Sequence, residues 1–341
     1  MTVGEPSSAP RRSSSLPGCS APSFPPLSRF PHPGGWQRPG FSLSEPRRCT
    51  WPVSSDPEPP PLLPGPRPRL SAVRPISFLS DFGLTDEFVG VVHGVVARIE
   101  PELRVIDVTH GIERGNVRAG ALALLRAIQY LPEGVALVVV DPGVGTSRRP
   151  IAAETAWGHF VGPDNGVLAP AVAMMGGASA IVALEDERFR VPSLGGATFD
   201  GRDVFAPAAA VLAAGQAAIT DLGPVLEDDS LTPLLLPLVE PEGEGIRGEV
   251  WWLDQYGNCQ TNVSPEDLEA LGVSPGDQVT VQIGGTEYDV PWQVAYGDVE
   301  PGEALLHVDS YGLMAVAVRE GSAAERLNLT AGHPVTLRKL A

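Results

Sequence analysis

Four aspartates each stand just after a short apolar run. They are Asp81 in Ser80-Asp81-Phe82-Gly83, Asp107 in Asp107-Val108-Thr109-His110, Asp141 ahead of Pro142-Gly143-Val144-Gly145-Thr146-Ser147-Arg148, and Asp164 in Pro163-Asp164-Asn165-Gly166. One aspartate in such a place is ordinarily a turn or cap residue, because its short carboxylate bonds nearby backbone N–H groups. Four at one edge are harder to dismiss: they make an acidic rim, compatible with a cationic small molecule and able in principle to hold Mg²⁺. A further segment, Thr198-Phe199-Asp200-Gly201-Arg202-Asp203-Val204-Phe205-Ala206-Pro207, precedes an alanine-rich helix. Its plain reading is a turn at Asp200-Gly201 with Asp203 at the start of the helix. Asp254-Gln255-Tyr256-Gly257-Asn258 offers a carboxylate, an aromatic ring and an amide in one loop, whose plain reading is a hairpin turn. His110 ends an apolar run beside the rim, whereas His93 falls within a helical pattern.

The elements that must position these residues are short apolar runs alternating with helical patterns. Strands are expected at Ile76–Ser80, Arg104–Val108, Gly134–Val140 and His159–Gly162, and helices at Glu87–Ile99 and Val117–Tyr130. This alternation predicts an N-terminal α/β domain with a largely parallel central sheet. In such sheets ligands bind beyond the carboxyl ends of the strands, where the four aspartates fall. After about Leu235 the pattern becomes strands with Gly and Asp turns: Gly248–Leu253, Gln278–Ile283, Glu287–Val290, Gly312–Val318 and Pro334–Arg338. That predicts a smaller C-terminal β domain, barrel-like. The expected organisation is a tail over 1–73, an α/β domain over 74–234, a Pro-, Glu- and Gly-rich linker over 235–245 and a β domain over 246–341.

Composition removes several function classes. Net charge is −17, yet residues 1–74 carry nine arginines against four acids, leaving −22 on the remainder. An acidic body repels phosphate backbones, so nucleic acid is not expected as a partner. The first 74 residues also hold 18 of the 36 prolines, with no apolar periodicity. Such a stretch cannot bury enough surface to offset its ordering entropy, so residues 1–73 read as disordered, or as the product of an upstream start codon. Its proline load also breaks the amphipathic helix that a targeting peptide needs. No membrane span or secretory signal is legible, which makes cytoplasm the default location. Cys19, Cys49 and Cys259 build neither a disulfide framework nor a zinc site.

Some fragments resemble motifs whose context is missing. Asp81-Phe82-Gly83 matches a kinase metal-binding triplet, but the only lysine is Lys339 and no His-Arg-Asp loop exists. Gly143-Val144-Gly145 is not followed by Gly-Lys-Ser/Thr, and Arg148 occupies the third glycine position of a dinucleotide fingerprint. It is a tight loop that brings backbone close to a ligand. No histidine pair has metal-binding spacing, and no cofactor or metal is called for.

Taken together the motifs resemble the SAM (S-adenosylmethionine) hydroxide adenosyltransferase family, the adenosine-forming SAM hydrolases related to fluorinase and chlorinase. The resemblance runs through Ser80-Asp-Phe-Gly83, Phe88-Val-Gly90, Ile106-Asp-Val-Thr-His110, Asp141-Pro-Gly-Val-Gly-Thr146, Gly162-Pro-Asp-Asn-Gly166, Phe199-x-Gly-Arg-Asp203, Tyr256-Gly-Asn258, Asp309-Ser-Tyr-Gly312 and Gly321-Ser-Ala-Ala324. It covers about residues 74–341 in order. It implies hydrolysis of SAM to adenosine and methionine without a metal, in a homotrimer whose active sites lie between the N-terminal domain of one subunit and the C-terminal domain of its neighbour. By position Asp81 resembles the ribose-hydroxyl ligand, and Asp254, Tyr256, Asn258 and Ser310 resemble part of the methionine and adenine pocket. Asp141 and Arg148 match two members of a water-handling Asp-Arg-His triad, with Asp200 in the place of the histidine. A carboxylate accepts from water or pairs with Arg148 but supplies no N–H. Against a halogenase, Gly201 stands where the fluorinase has a halide-binding serine, and Asp141 replaces an aromatic residue of both halogenases; a carboxylate there repels halide. Two readings from other classes stay open: a SAM- or nucleoside-binding module with little turnover, and a Mg²⁺-dependent phosphohydrolase built on the aspartates.

Overall fold

The computed structural model describes residues 73–192, 196–227 and 231–340. The expected tail over 1–73 therefore lies outside the described residues except for Val73.

Strands β1 (Ile76–Ser80), β2 (Val105–Thr109), β3 (Val135–Val139), β4 (Pro150–Glu154), β5 (His159–Pro163), β6 (Ala180–Ala183) and β7 (Val225–Leu226) form one sheet in the order β2-β1-β3-β5-β4-β6-β7. The first four of that order are mutually parallel, as the alternating pattern predicts; β4, β6 and β7 join antiparallel. Every residue of β1 and β3 is buried. Successive side chains point to opposite faces, and here both faces are covered, so these strands read as unbroken apolar runs. Ile76, Phe78, Val135 and Leu137 pack under α1 (Phe88–Ile99) and α4 (Ala206–Ala213). Leu79, Ala136 and Val138 pack under α2 (Val117–Ala127) and α3 (Ala169–Met174) on the other face. Helix α2 starts where Asn116 accepts the Ala119 N–H through its side-chain oxygen at 2.9 Å.

The chain runs from β1 through α1 to β2 on one side, then crosses back through α2 to β3 on the other. The strand order therefore reverses between β1 and β3, and in open α/β sheets ligands bind beyond the carboxyl ends of the strands at such a reversal. Asp81 follows the first of these strands and Asp141 lies two residues past the second.

The second sheet is antiparallel. Strands β8 (Glu240–Glu242), β9 (Gly245–Leu253), β10 (Cys259–Thr261), β11 (Gln278–Ile283), β12 (Thr286–Pro291), β13 (Ala304–Val308), β14 (Met314–Val318) and β15 (Pro334–Lys339) run in the order β12-β11-β15-β9-β10-β14-β13, with β8 paired to β9. Past the end of β12, a bridge between Trp292 and Leu306, with the Gln293 N–H on the Leu306 carbonyl at 2.8 Å, brings the two ends of the sheet together. This gives the barrel-like form. Helices α5 (Pro265–Glu269) and α6 (Ala323–Leu327) cap it with Leu268, Ala323 and Leu327 in the core. Part of the Pro- and Glu-rich stretch expected as linker is drawn into this sheet as β8. Arg118 on α2 forms an ion pair with Glu249 on β9, tying the helix to the second sheet.

Candidate active site

Beyond the end of β3, Asp141 begins a loop that folds back on itself. The Val144 N–H reaches the Asp141 carbonyl at 3.3 Å, and the Thr146 hydroxyl donates to the Gly143 carbonyl at 2.6 Å. Gly145 takes φ +77°, a left-handed conformation that glycine adopts without a Cβ penalty. The turn returns Arg148 to Asp141: Arg148 Nε donates to Oδ1 and Oδ2 of Asp141, 2.9 Å each, and Nη2 also contacts Oδ2. The same Nη2 contacts Oδ2 of Asp200. The side chains are 10% exposed for Arg148, 6% for Asp141 and 19% for Asp200, so this is a recessed, charge-assisted cluster. Burial works to lower the Arg148 pKa, but the hydrogen bonds and charges of Asp141 and Asp200 outweigh it and raise it further. Arg148 is a fixed cation. Among the described residues only Oδ2 of Asp200 is engaged, leaving Oδ1 as an open acceptor.

Asp200 is placed by the start of a single π-helical turn, Gly201–Phe205, that runs directly into α4. Such turns are rare and concentrate at functional sites. Asp203 lies in the first turn of this helical segment, as expected, and its carboxylate accepts from the adjacent Arg202, Nε to Oδ1 at 2.6 Å. Phe199 meets Phe82 and Phe88 edge to face beside this turn, and Phe82 and Phe88 are tilted against each other, with ring centroids 5.1–5.8 Å apart. Asp81 accepts the Gly115 N–H at 2.7 Å.

The other two strand-end aspartates are used elsewhere. Asp107 contacts His93 Nε2 at 2.8 Å and His110 Nε2 at 3.1 Å, and His110 Nδ1 in turn meets the Ser80 hydroxyl at 2.7 Å. Asp164 pairs with Arg149 at 2.5 Å and takes the Thr232 N–H at 2.7 Å. The first set of contacts braces the β1–β2 ends, and the second pins the chain leading to the second sheet.

The loop Asp254–Asn258 is the hairpin connection between β9 and β10. Asp254 Oδ1 accepts the N–H groups of Tyr256 and Asn258, 2.9 Å each, and Oδ2 accepts the Asn258 side-chain amide at 2.8 Å. Gly257 has φ +80°, and a Cβ there would sit 2.1 Å from the Ser322 hydroxyl oxygen, so only glycine closes this turn. Tyr256 is 69% exposed. The loop divides two concavities. One, of about 350 Å³, has Asp254, Asn258 and Ser310 in its wall with Arg126, Trp252, Gln260, Tyr296, His307 and Asp309. The other, about 780 Å³ and more open, has Asp254, Tyr256 and Asn258 with Val318–Gly321. Among the described residues no hydrogen bond or ion pair joins this set to Asp81, Asp141, Arg148 or Asp200. The expected site residues thus form two groups in one chain.

Phe82, Phe88, Phe199 and Asp309 belong to motifs of the resemblance without a role read for them, whereas the cavity residues Arg126, Gln260, Tyr296 and His307 carry no motif-like spacing. They come together only through folding.

The sequence and fold place the chain in a known family. The SAM hydroxide adenosyltransferase N-terminal domain matches residues 76–223, and the C-terminal domain of the same family matches 248–336. An (R)-S-adenosyl-L-methionine hydrolase of Salinispora tropica is 47% identical over 259 residues, 75% of this chain and 95% of that one. One of Thermus thermophilus is 42% identical over 272 residues, 78% of this chain and all of the relative. The crystal structure of an uncharacterized conserved protein from Thermotoga maritima superposes with a TM-score of 0.73 at 38% identity, covering 77% of this chain and all of that one. The chain belongs to the SAM hydroxide adenosyltransferase family.

Proposed function

We propose that the chain is an enzyme that hydrolyses S-adenosyl-L-methionine to adenosine and L-methionine, with water attacking the ribose C5′ in line with the departing sulfur. The observation that carries this reading is the Arg148 guanidinium held between Asp141 and Asp200 at the strand-order reversal, in a chain whose relatives are named SAM hydrolases.

The sulfonium is already a good leaving group, so the protein has to align water and exclude competitors; alignment of this kind supplies roughly 7–11 kcal/mol of barrier reduction. Arg148 stabilises the attacking oxygen as hydroxide character develops, and Asp141 fixes the guanidinium. The open oxygen of Asp200 takes the proton that the water loses, a role an imidazole would fill in the family pattern. Two carboxylates around one guanidinium leave the cluster net negative, which favours a sulfonium and disfavours a halide ion.

Asp81 binds the ribose hydroxyls. Asp254, Tyr256, Asn258 and Ser310 receive the methionine and adenine parts. Because these residues form two groups within one chain, the complete site is assembled between subunits of a homotrimer, the α/β domain over 74–234 facing a neighbour's β domain over 246–341. A cytoplasmic location is part of this proposal; among the described residues no helix is long and apolar enough to cross a membrane. No metal or other cofactor enters this mechanism, and nucleic acid is not a partner.

Purified protein incubated with SAM in water enriched in heavy oxygen tests the reading. Adenosine labelled at its 5′-hydroxyl, with unlabelled methionine, is expected with or without chloride. Absence of turnover, or a 5′-chlorinated nucleoside in place of adenosine, contradicts it.

A further inference from the structure

The cavity of about 350 Å³ beside Ser310 contains side chains that the family pattern leaves unassigned. Three of them hold buried polar atoms with no hydrogen-bond partner: Nε and Nη1 of Arg126, Oε1 of Gln260 and Nε2 of His307. Gln260 and His307 are 4% and 6% exposed. Native proteins rarely leave such atoms unsatisfied, and the three side chains that carry them all line this one cavity, which points to a ligand that they adjust to meet.

Arg126 rises from the last turn of α2. Its guanidinium carbon lies 4.5 Å from the Trp252 ring centre and 4.4 Å from that of Tyr311. Stacking occupies the flat faces of a guanidinium and leaves its N–H edge for polar contact, the edge that matches a carboxylate. The same cavity carries the opposite charge in Asp254 and Asp309. Gln260 donates its amide to Asp309, so its orphaned oxygen remains an acceptor. A small molecule that satisfies both poles has an anionic end and an ammonium end, as an α-amino acid does.

We propose that Arg126 is a specificity-determining residue that reads the α-carboxylate of the methionine half of the substrate, with Asp254, Asp309 and Gln260 facing the ammonium group. This rests on the SAM reading above and adds a prediction about which analogues are refused. Decarboxylated SAM keeps the sulfonium, the ribose and the ammonium group but lacks the group that Arg126 would bind. The residue also comes from the α/β domain of the chain that supplies the hairpin loop, so α2 couples the two domains through this cavity.

The test compares kcat/KM for SAM and for decarboxylated SAM in wild type, Arg126→Gln and Arg126→Lys, with binding of L-methionine and of 3-(methylthio)propylamine measured by calorimetry. The substrate ratio is internal to each preparation and does not depend on the fraction folded. Wild type is expected to prefer SAM by about 10- to 100-fold, the worth of a charge-assisted hydrogen bond. Arg126→Gln is expected to lose that preference by slowing SAM alone, and Arg126→Lys to recover part of it. An unchanged ratio in Arg126→Gln, or equal loss on both substrates, overturns the assignment and leaves Arg126 as a stacked pillar. Wild type that binds L-methionine in preference to the amine, with the preference lost in Arg126→Gln but no adenosine released, keeps the assignment and sinks the hydrolysis reading. Wild type that binds neither probe and turns over neither substrate overturns both.

Discussion

The Nε of Arg148 lies 2.9 Å from each carboxylate oxygen of Asp141, seven residues earlier in the chain. A lone Arg–Asp pair at a surface contributes little, because water and salt screen it. This one is recessed, and a second carboxylate, Asp200, meets the same guanidinium from another part of the chain. One cation shared by two anions leaves one carboxylate oxygen, Oδ1 of Asp200, free to face a water molecule.

That asymmetry makes Asp200 separable from Asp141 by mutation. Asp200→Asn keeps a hydrogen-bond acceptor for Arg148 but loses the proton acceptor, and kcat is expected to fall by about 10²–10⁴-fold with KM little changed. Asp200→His restores an acceptor and is expected to retain turnover within roughly tenfold of wild type. Steady-state adenosine release on the two variants checks this. Equal, complete loss in both contradicts the role.

Gly201 is fixed by its neighbours and not by backbone strain. A Cβ there would lie 2.9 Å from Phe82 Cζ and 3.2 Å from Phe199 Cε2. Gly201→Ser is therefore expected to overpack the aromatic wall, costing about 1–3 kcal/mol in a denaturant melt, and to yield no halogenated product. A serine tolerated at full stability would show that the wall yields.

The parallel half of the first sheet was legible because β1 and β3 are buried on both faces, which writes an unbroken apolar run. β4 and β6 were missed: Pro150–Glu154 and Ala180–Ala183 are short and carry two alanines each, which dilutes the strand signal of Ile151, Ile181 and Val182, and β6 takes its place by pairing with β4 and β7. Among site residues, the glycines after Asp141 marked a tight loop, while the pairing of Asp141 with Arg148 was implied only by the family resemblance. What Asp107 and Asp164 pair with was not legible: a strand-end aspartate looks the same whether it faces a ligand or an internal cation, and Arg149 and His93 are distant in sequence or unremarkable in type. Arg126 and His307 were invisible for the same reason, since their environment exists only after both domains fold.

Stability should fall on mild acidification. Burial holds the His307 imidazole below its ordinary range against the opposing pull of the Val308 carbonyl, Asp309 and Asp254. Burial lowers His159 likewise, with Arg74 adding to the effect and Glu154 opposing it. Below about pH 6.5 the unfolded chain binds protons that the native state refuses, so stability is present above that pH and lost as pH falls through the native values. A Tm series from neutral to mildly acidic pH is expected to slope downward in wild type and less steeply in the double variant His159→Gln, His307→Gln. An unaltered slope contradicts the assignment.

Cys259 is fully buried, and burial followed by the nearby Asp254 charge pushes its thiol pKa up to about 12. Only the thiolate alkylates, so peptide-mapped labelling at mildly alkaline pH is expected to spare Cys259 in the native protein and to modify it in denaturant. Fast native labelling would place the thiol in contact with solvent.

The central claim is that the guanidinium of Arg148 stabilises the attacking oxygen. The most direct measurement is adenosine release from SAM by wild type and Arg148→Ala side by side, with circular dichroism confirming that both are folded. A loss of about 10³-fold in kcat, with methionine binding retained, is the predicted result. Undiminished turnover by the folded variant would contradict the account.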